Sequence, residues 1–134
     1  MLLDDLLDLA ATGGHGTKGV DLFKGMLPSK PDAAAAILHY GGPPPVRGMA
    51  GSSGQALAEV ERVQVVVRDG RYDGAMKRAR DIWFSLDGAA RAINGVQYRS
   101  IFALQSPFSL GDDGQGREVV ACNYEVVRDP ATSS

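Results

Sequence analysis

The stretch ERVQVVVRDGRYDGAMKRARDIWFSLDG, Glu61 to Gly88, changes its hydrophobic period once, at Asp69 and Gly70. Before that point Val63, Val65 and Val67 alternate with Arg62, Gln64, Val66 and Arg68, the period of a strand with one buried face. After it Tyr72, Ala75, Met76, Ala79, Ile82, Trp83 and Leu86 recur at helical spacing on one stripe, with Lys77, Arg78 and Asp81 toward water. Asp69 or Asp73 suits the helix start, and Gly88 stands where a left-handed cap ends it. A half-buried strand leading straight into an amphipathic helix requires the helix to cover a sheet. Phe84 alone falls outside the stripe, on the polar side between Lys77 and Arg80.

The remaining segments extend this arrangement. Leu2, Leu3, Leu6, Leu7, Leu9 and Ala10 predict a short helix with Asp4, Asp5 and Asp8 opposite, stopped by Gly13 and Gly14. VDLFKGML, Val20 to Leu27, reads as a strand between glycine and proline. The alanine-rich run from Ala33 to Tyr40 has helix propensity, but it is short and ends in GGPPP, so it is also read as a strand. Gly41 to Glu59 carries five glycines and three prolines and reads as a long flexible loop whose ordering would need a partner. Asn94-Gly95 marks a tight hairpin, after which Tyr98, Phe102 and Leu104 are expected on one strand face. Val120, Cys122, Tyr124 and Val126 line a long last strand. The order predicts an α+β fold, a single antiparallel or mixed β-sheet with two helices packed on one face, long loops and a β-hairpin arm. Residues 1–129 form one domain in this reading, and 130–134 a flexible tail.

Charge and composition narrow the function. Fourteen Lys and Arg against sixteen Asp and Glu, a net charge of −2, supply no field to draw the chain onto nucleic acid or an anionic membrane. The single cysteine, Cys122, excludes an intrachain disulfide and a Cys-rich metal site, and on its apolar strand it reads as a small buried hydrophobe. No apolar run approaches a membrane span, and the aspartate-broken N-terminus lacks the basic start of a secretion signal. A reducing compartment is expected.

Motif by motif, chemistry fails on context. Gly14-His15-Gly16-Thr17-Lys18-Gly19 spells G-x-G-x-x-G, but a dinucleotide loop needs a strand before and a helix after, the reverse of the order here. His15 and His39, the only histidines, have no ligand spacing between them, so no metal is expected. No G-x-S-x-G elbow is present, and Ser52-Ser53 lies in the long loop. Asp112-Asp113-Gly114 lacks the further acidic positions of a calcium loop and reads as a turn. No catalytic residue, cofactor or metal is expected, and the chain is read as a non-enzyme.

What remains is a set of apolar residues that a lone subunit does not need: Phe84 on the polar helix face, Val66 on the outer strand face, and Phe108 with Leu110 in the connection LQSPFSLGDDGQGREVV. Tyr40, Val46 and Met49, in and beside the long loop, join them as candidate interface residues. Together they point to contacts with other chains. The connection is longer than a turn requires, and a joining arm explains it; the alternative is a loop folded back over its own sheet.

The ordered set YGGPPP (Tyr40 to Pro45), RVQVVVRD (Arg62 to Asp69), ARDIWFSLDG and INGVQYRSIFALQSPFSLGDDGQGRE resembles the minor capsid or tail terminator proteins of long-tailed bacteriophages, over nearly the whole chain. The resemblance implies a virion protein of the tail and neck, made in the bacterial host cytoplasm. It implies a homo-oligomeric ring, usually a hexamer, at the head-proximal end of the tail tube. There it would meet the tail tube protein and the head-completion or connector protein, with phage DNA passing through the lumen without sequence-specific binding and no membrane involved. It carries over no catalytic or metal residue. A head-completion adaptor on the connector, and a small-molecule-binding enzyme, are the alternative readings.

Overall fold

The structure is a computed structural model and describes residues 2–41, 46–47 and 56–129, with the side chains of 46–47 and 56–58 excepted. Helix α1 runs Leu2–Thr12 and helix α2 Tyr72–Leu86. The strands are β1 (Leu22–Lys24), β2 (Ala34–Gly41), β3 (Val46–Arg47), β4 (Ala56–Asp69), β5 (Ala89–Ile93), β6 (Val96–Ala103), β7 (Phe108–Asp112) and β8 (Glu118–Arg128).

One mixed sheet takes the order β1-β2-β4-β8-β6-β5, with β3 paired to β4 and β7 to β8. Among the paired strands described, β1–β2 is parallel and the rest antiparallel, with an isolated parallel bridge between Lys18 and Leu22. The valines read from the sequence form the middle of the inner face: Val63, Val65 and Val67 of β4 stand opposite Tyr124, Cys122 and Val120 of β8. Both helices lie on this face. Leu6 and Ala10 of α1, and Ala75, Ala79, Ile82 and Leu86 of α2, are buried in one cluster with these strand residues. Among the described residues no helix is long and apolar enough to cross a membrane.

The helix ends follow their sequence signals. Gly13, Gly14 and His15 donate backbone N–H groups to Leu9, Ala11 and Ala10, closing α1 with Gly14 at φ 81°. Gly88 follows α2 at φ 80°, and Asn94 and Gly95 both take the positive φ of a primed turn between β5 and β6. The start of α2 differs: its cap position is Arg71 without a side-chain cap, and Asp69 accepts from the Arg71 backbone N–H (3.0 Å) outside the helix.

Several expectations are corrected. The strand expected over Val20–Leu27 is only Leu22–Lys24, because Gly19 and Gly25, both at positive φ, turn the chain away on either side. The loop expected over Gly41–Glu59 contains β3, and β4 already begins at Ala56; 42–45 and 48–55 lie outside the described residues, as does the expected tail 130–134. Phe102 does not share a face with Tyr98. The β6–β8 register shifts between Tyr98 and Ser100, so Ile101 takes the inner position and Phe102 the outer.

The connection expected to be an arm is a strand. After an interruption over 104–107, β7 returns to the same side of β8 that β6 pairs with, and Phe108 stands opposite Ala121. Its length is used in ladder hydrogen bonds, and the turn itself is confined to 113–117, where Asp113 N donates to Arg117 O.

Candidate assembly surface

The outer face of the sheet, turned away from the helices, carries a row of apolar residues. In register across five strands stand Phe23, Ala36, Val66, Ala121 and Phe108. Val66 was expected to be exposed; it is only 8% exposed. It sits on a central strand with a paired neighbour on each side, so little of its surface reaches water. Phe108 is half-buried at the end of that row. Leu110, beside the β7 register shift at Ser109/Gly111, is 54% exposed, and Phe102 stands out to a similar degree.

The lower end of this face is closed by two arginines that sequence reasoning passed over. Arg68 donates to the carbonyls of Asp32 (3.1 Å), Pro28 (2.6 Å) and Pro31 (2.5 Å). Arg117 donates to Ser29 O (2.5 Å) and pairs with Asp113 (2.7 Å) and Asp32 (3.3 Å). Together they hold the segment before β2, with its cis Lys30–Pro31 bond, against the sheet. Both are buried, and each stands in the sequence beside a turn, where an exposed arginine is the ordinary reading.

On the helical face, Phe84 is the most exposed of the expected contact residues, at 69%. It points away from the sheet, since Ile82 and Leu86 hold the opposite side of α2. Its ring stacks on Trp83 at 5.1 Å between centroids, and the Arg80 guanidinium lies 5.5 Å from the Trp83 ring centre. Trp83, expected in the core stripe, is only half-buried for this reason.

A third surface lies where the N-terminal turn of α1 meets the ends of β1, β2, β4 and β8. A pocket of about 460 Å³ opens there, lined by Leu2, Leu3, Lys24, Gly25, His39, Glu61 and Arg128. Its charged walls are internally paired: His39 Nε2 with Glu61 Oε2 (2.6 Å), Lys24 with Asp4 (3.1 Å), Arg128 with Glu59 (3.2 Å). Arg128 Nε is enclosed and has no partner among the described residues. Exposed Tyr40 lies close by, lining a smaller recess of about 260 Å³ with Leu38, His39, Gln64 and Asn123.

Behind the pocket runs a polar chain that fixes α1. Asp5, expected to face water, is buried; it accepts from Tyr98 Oη and from Asn94 Nδ2 (2.7 Å). Asn94 also donates to Asp8 (2.8 Å), which Lys18 binds at 2.6 Å, lowering the Asp8 pKa. Burial and the bond to Asp5 raise the Tyr98 pKa, keeping the phenol a neutral donor. The signal for Asp5 was in the sequence: Leu2, Asp5, Leu6 and Leu9 share one i, i+3, i+4, i+7 stripe.

The glycine motif of 14–19 is a linking loop. Arg78 of α2 donates to the carbonyls of His15 (2.9 Å) and Asp21 (3.1 Å), and His15 Nε2 meets Ser85 Oγ at 2.5 Å. Burial lowers the His15 pKa. Cys122 is buried on the inner face, where desolvation raises its thiol pKa. Of the seven expected contact residues, Phe84, Leu110 and Tyr40 are exposed, Phe108 is half-buried and Val66 buried. Val46 lies in β3 with its side chain outside the description, and Met49 lies outside the described residues. The exposed three lie on α2, β7 and β2, with β4 and β8 between the last two.

Residues 10–130 match the model of a family described as "Bacteriophage tail terminator protein". A chain in a solved structure of the virion of a native gene transfer agent particle is similar in fold, with a TM-score of 0.56 and 14% identity. The match covers 91% of this chain and 84% of that one. No curated protein matches the sequence.

Proposed function

Because this chain belongs to the bacteriophage tail terminator family, a family of structural phage proteins without catalytic activity, we propose that it forms a ring, a hexamer in the simplest reading, at the head-proximal end of the tail tube. There it stops tube polymerisation and presents the surface that the head-completion or connector protein joins. The tail tube protein, the connector and further copies of this chain are its partners, and phage DNA passes through the lumen without base-specific contact.

The observation that carries this reading is the distribution of exposed apolar side chains. Phe84, Leu110 and Phe102 stand on the helical face, on β7 and on the outer sheet face. A single binding patch would serve one partner; separate patches suit a subunit that touches two neighbours and a tube. The near-neutral charge fits a lumen that lets DNA slide, since strong phosphate binding would need a basic surface.

Negative-stain imaging of the purified chain mixed with tail tubes tests the reading. Density at one end only of each tube is expected. Density along the tube walls, or none, would contradict it.

A further inference from the structure

The ring reading leaves open how one subunit grips the next, and two features at different ends of the subunit fit each other. We propose that Phe84 of one copy inserts into the pocket between α1 and the sheet end of the next copy. The proposal rests on the ring reading and names its subunit contact.

Phe84 is a prepared knob. It sits in a regular helix, is braced by Trp83, and has Arg80 one turn before it on the same side of α2. Aromatic rings and arginine are the side chains that dominate protein interfaces, and a ring held in place loses little freedom on binding. The pocket offers matching chemistry. Leu2 and Leu3 give an apolar wall for the ring, and the side chains of Lys24 and Arg128, each held by a carboxylate, border it. Glu61, already 2.6 Å from His39 on the same rim, is the carboxylate that the incoming Arg80 would share. At about 460 Å³ the opening takes a phenylalanine side chain with room for part of its helix turn.

Geometry forbids the contact within one subunit. The C-terminal end of α1 is tied to α2 near Phe84 through His15 and Ser85, while the pocket lies at the N-terminal end of α1. The eleven residues of α1 separate them by about 16 Å. Knob and pocket are also different surfaces, so the contact is head-to-tail, the kind that closes rings.

The test uses two variants that keep one half each. Phe84→Ala removes the knob and keeps the pocket. Lys24→Trp, at an exposed rim position, blocks the pocket and keeps the knob. A thermal melt confirms that each is folded, with Leu3→Trp as the second pocket block. Light scattering with size exclusion, with and without tail tubes, then reads assembly beside the unaltered chain. Each variant alone should associate at least about thirtyfold more weakly. Their mixture should form a one-to-one complex that grows no further, because only one knob and one pocket remain. Variants that assemble like the unaltered chain, or folded variants that stay separate when mixed, overturn this contact and leave the ring reading standing. An unaltered chain that neither self-associates nor seats on tubes overturns both.

Discussion

Asp5 shows how a single side chain ties a helix to a distant hairpin. Its carboxylate is the acceptor of the Tyr98 phenol among the described residues and shares the Asn94 amide with Asp8. Asp5→Ala strands a buried hydroxyl and should cost about 2–3 kcal/mol in a urea melt. Tyr98→Phe in the same background should recover part of that loss, since it removes the stranded group. Arg68 makes a similar case at the other end of the sheet. An ammonium cannot reach three carbonyls in one plane, so Arg68→Lys should cost about 2 kcal/mol. His15 gives a pH signature. Burial holds its folded pKa below the ordinary 6.5, so the unfolded chain binds the proton first. This contribution is complete above that value and is lost as the pH falls through and below it. Stability should decline from about pH 7 to about pH 5, and His15→Gln should flatten that part of the curve.

At the scale of elements, β7 decides between arm and strand. A free arm would tolerate Phe108→Asp with the fold intact. In the ladder beside Ala121 and Val66, a carboxylate replaces a half-buried ring, and the substitution should cost about 1–3 kcal/mol in a thermal or urea melt. Leu110→Asp, at an exposed position, should cost far less. Equal melts would return β7 to the status of an arm. Local signals were legible: the β4 alternation, the α2 stripe, the Asn94-Gly95 turn and the glycine after each helix. Pairing was not, because the β7 register matches Phe108 to Ala121 across a turn, and one shift at Tyr98/Ser100 sends Phe102 outward. The arginine clamp escaped for the same reason, joining residues 36 to 88 positions apart. Phe84 was legible because a helix phase is local: Phe84→Ala should change stability by about 0.5 kcal/mol or less, whereas Ile82→Ala should cost about 2–5 kcal/mol.

For the whole molecule, the subunit is a sheet with one face covered by two helices and the other turned away from them. Family membership was legible in the order of segments, and the α+β class in their periods; exposure of the candidate contact residues was legible only where it follows from local phase. Phe84 and Leu110 qualify, and Val66 fails because burial on an outer face depends on strands the sequence does not place beside it. The central claim is that this chain ends tube growth. It is tested most directly by following tube length against time while the tail tube protein polymerises, with the chain added midway at about one ring per tube end. The account predicts that lengths stay fixed at their values on addition. Tubes that keep lengthening at the rate seen without the chain would contradict it.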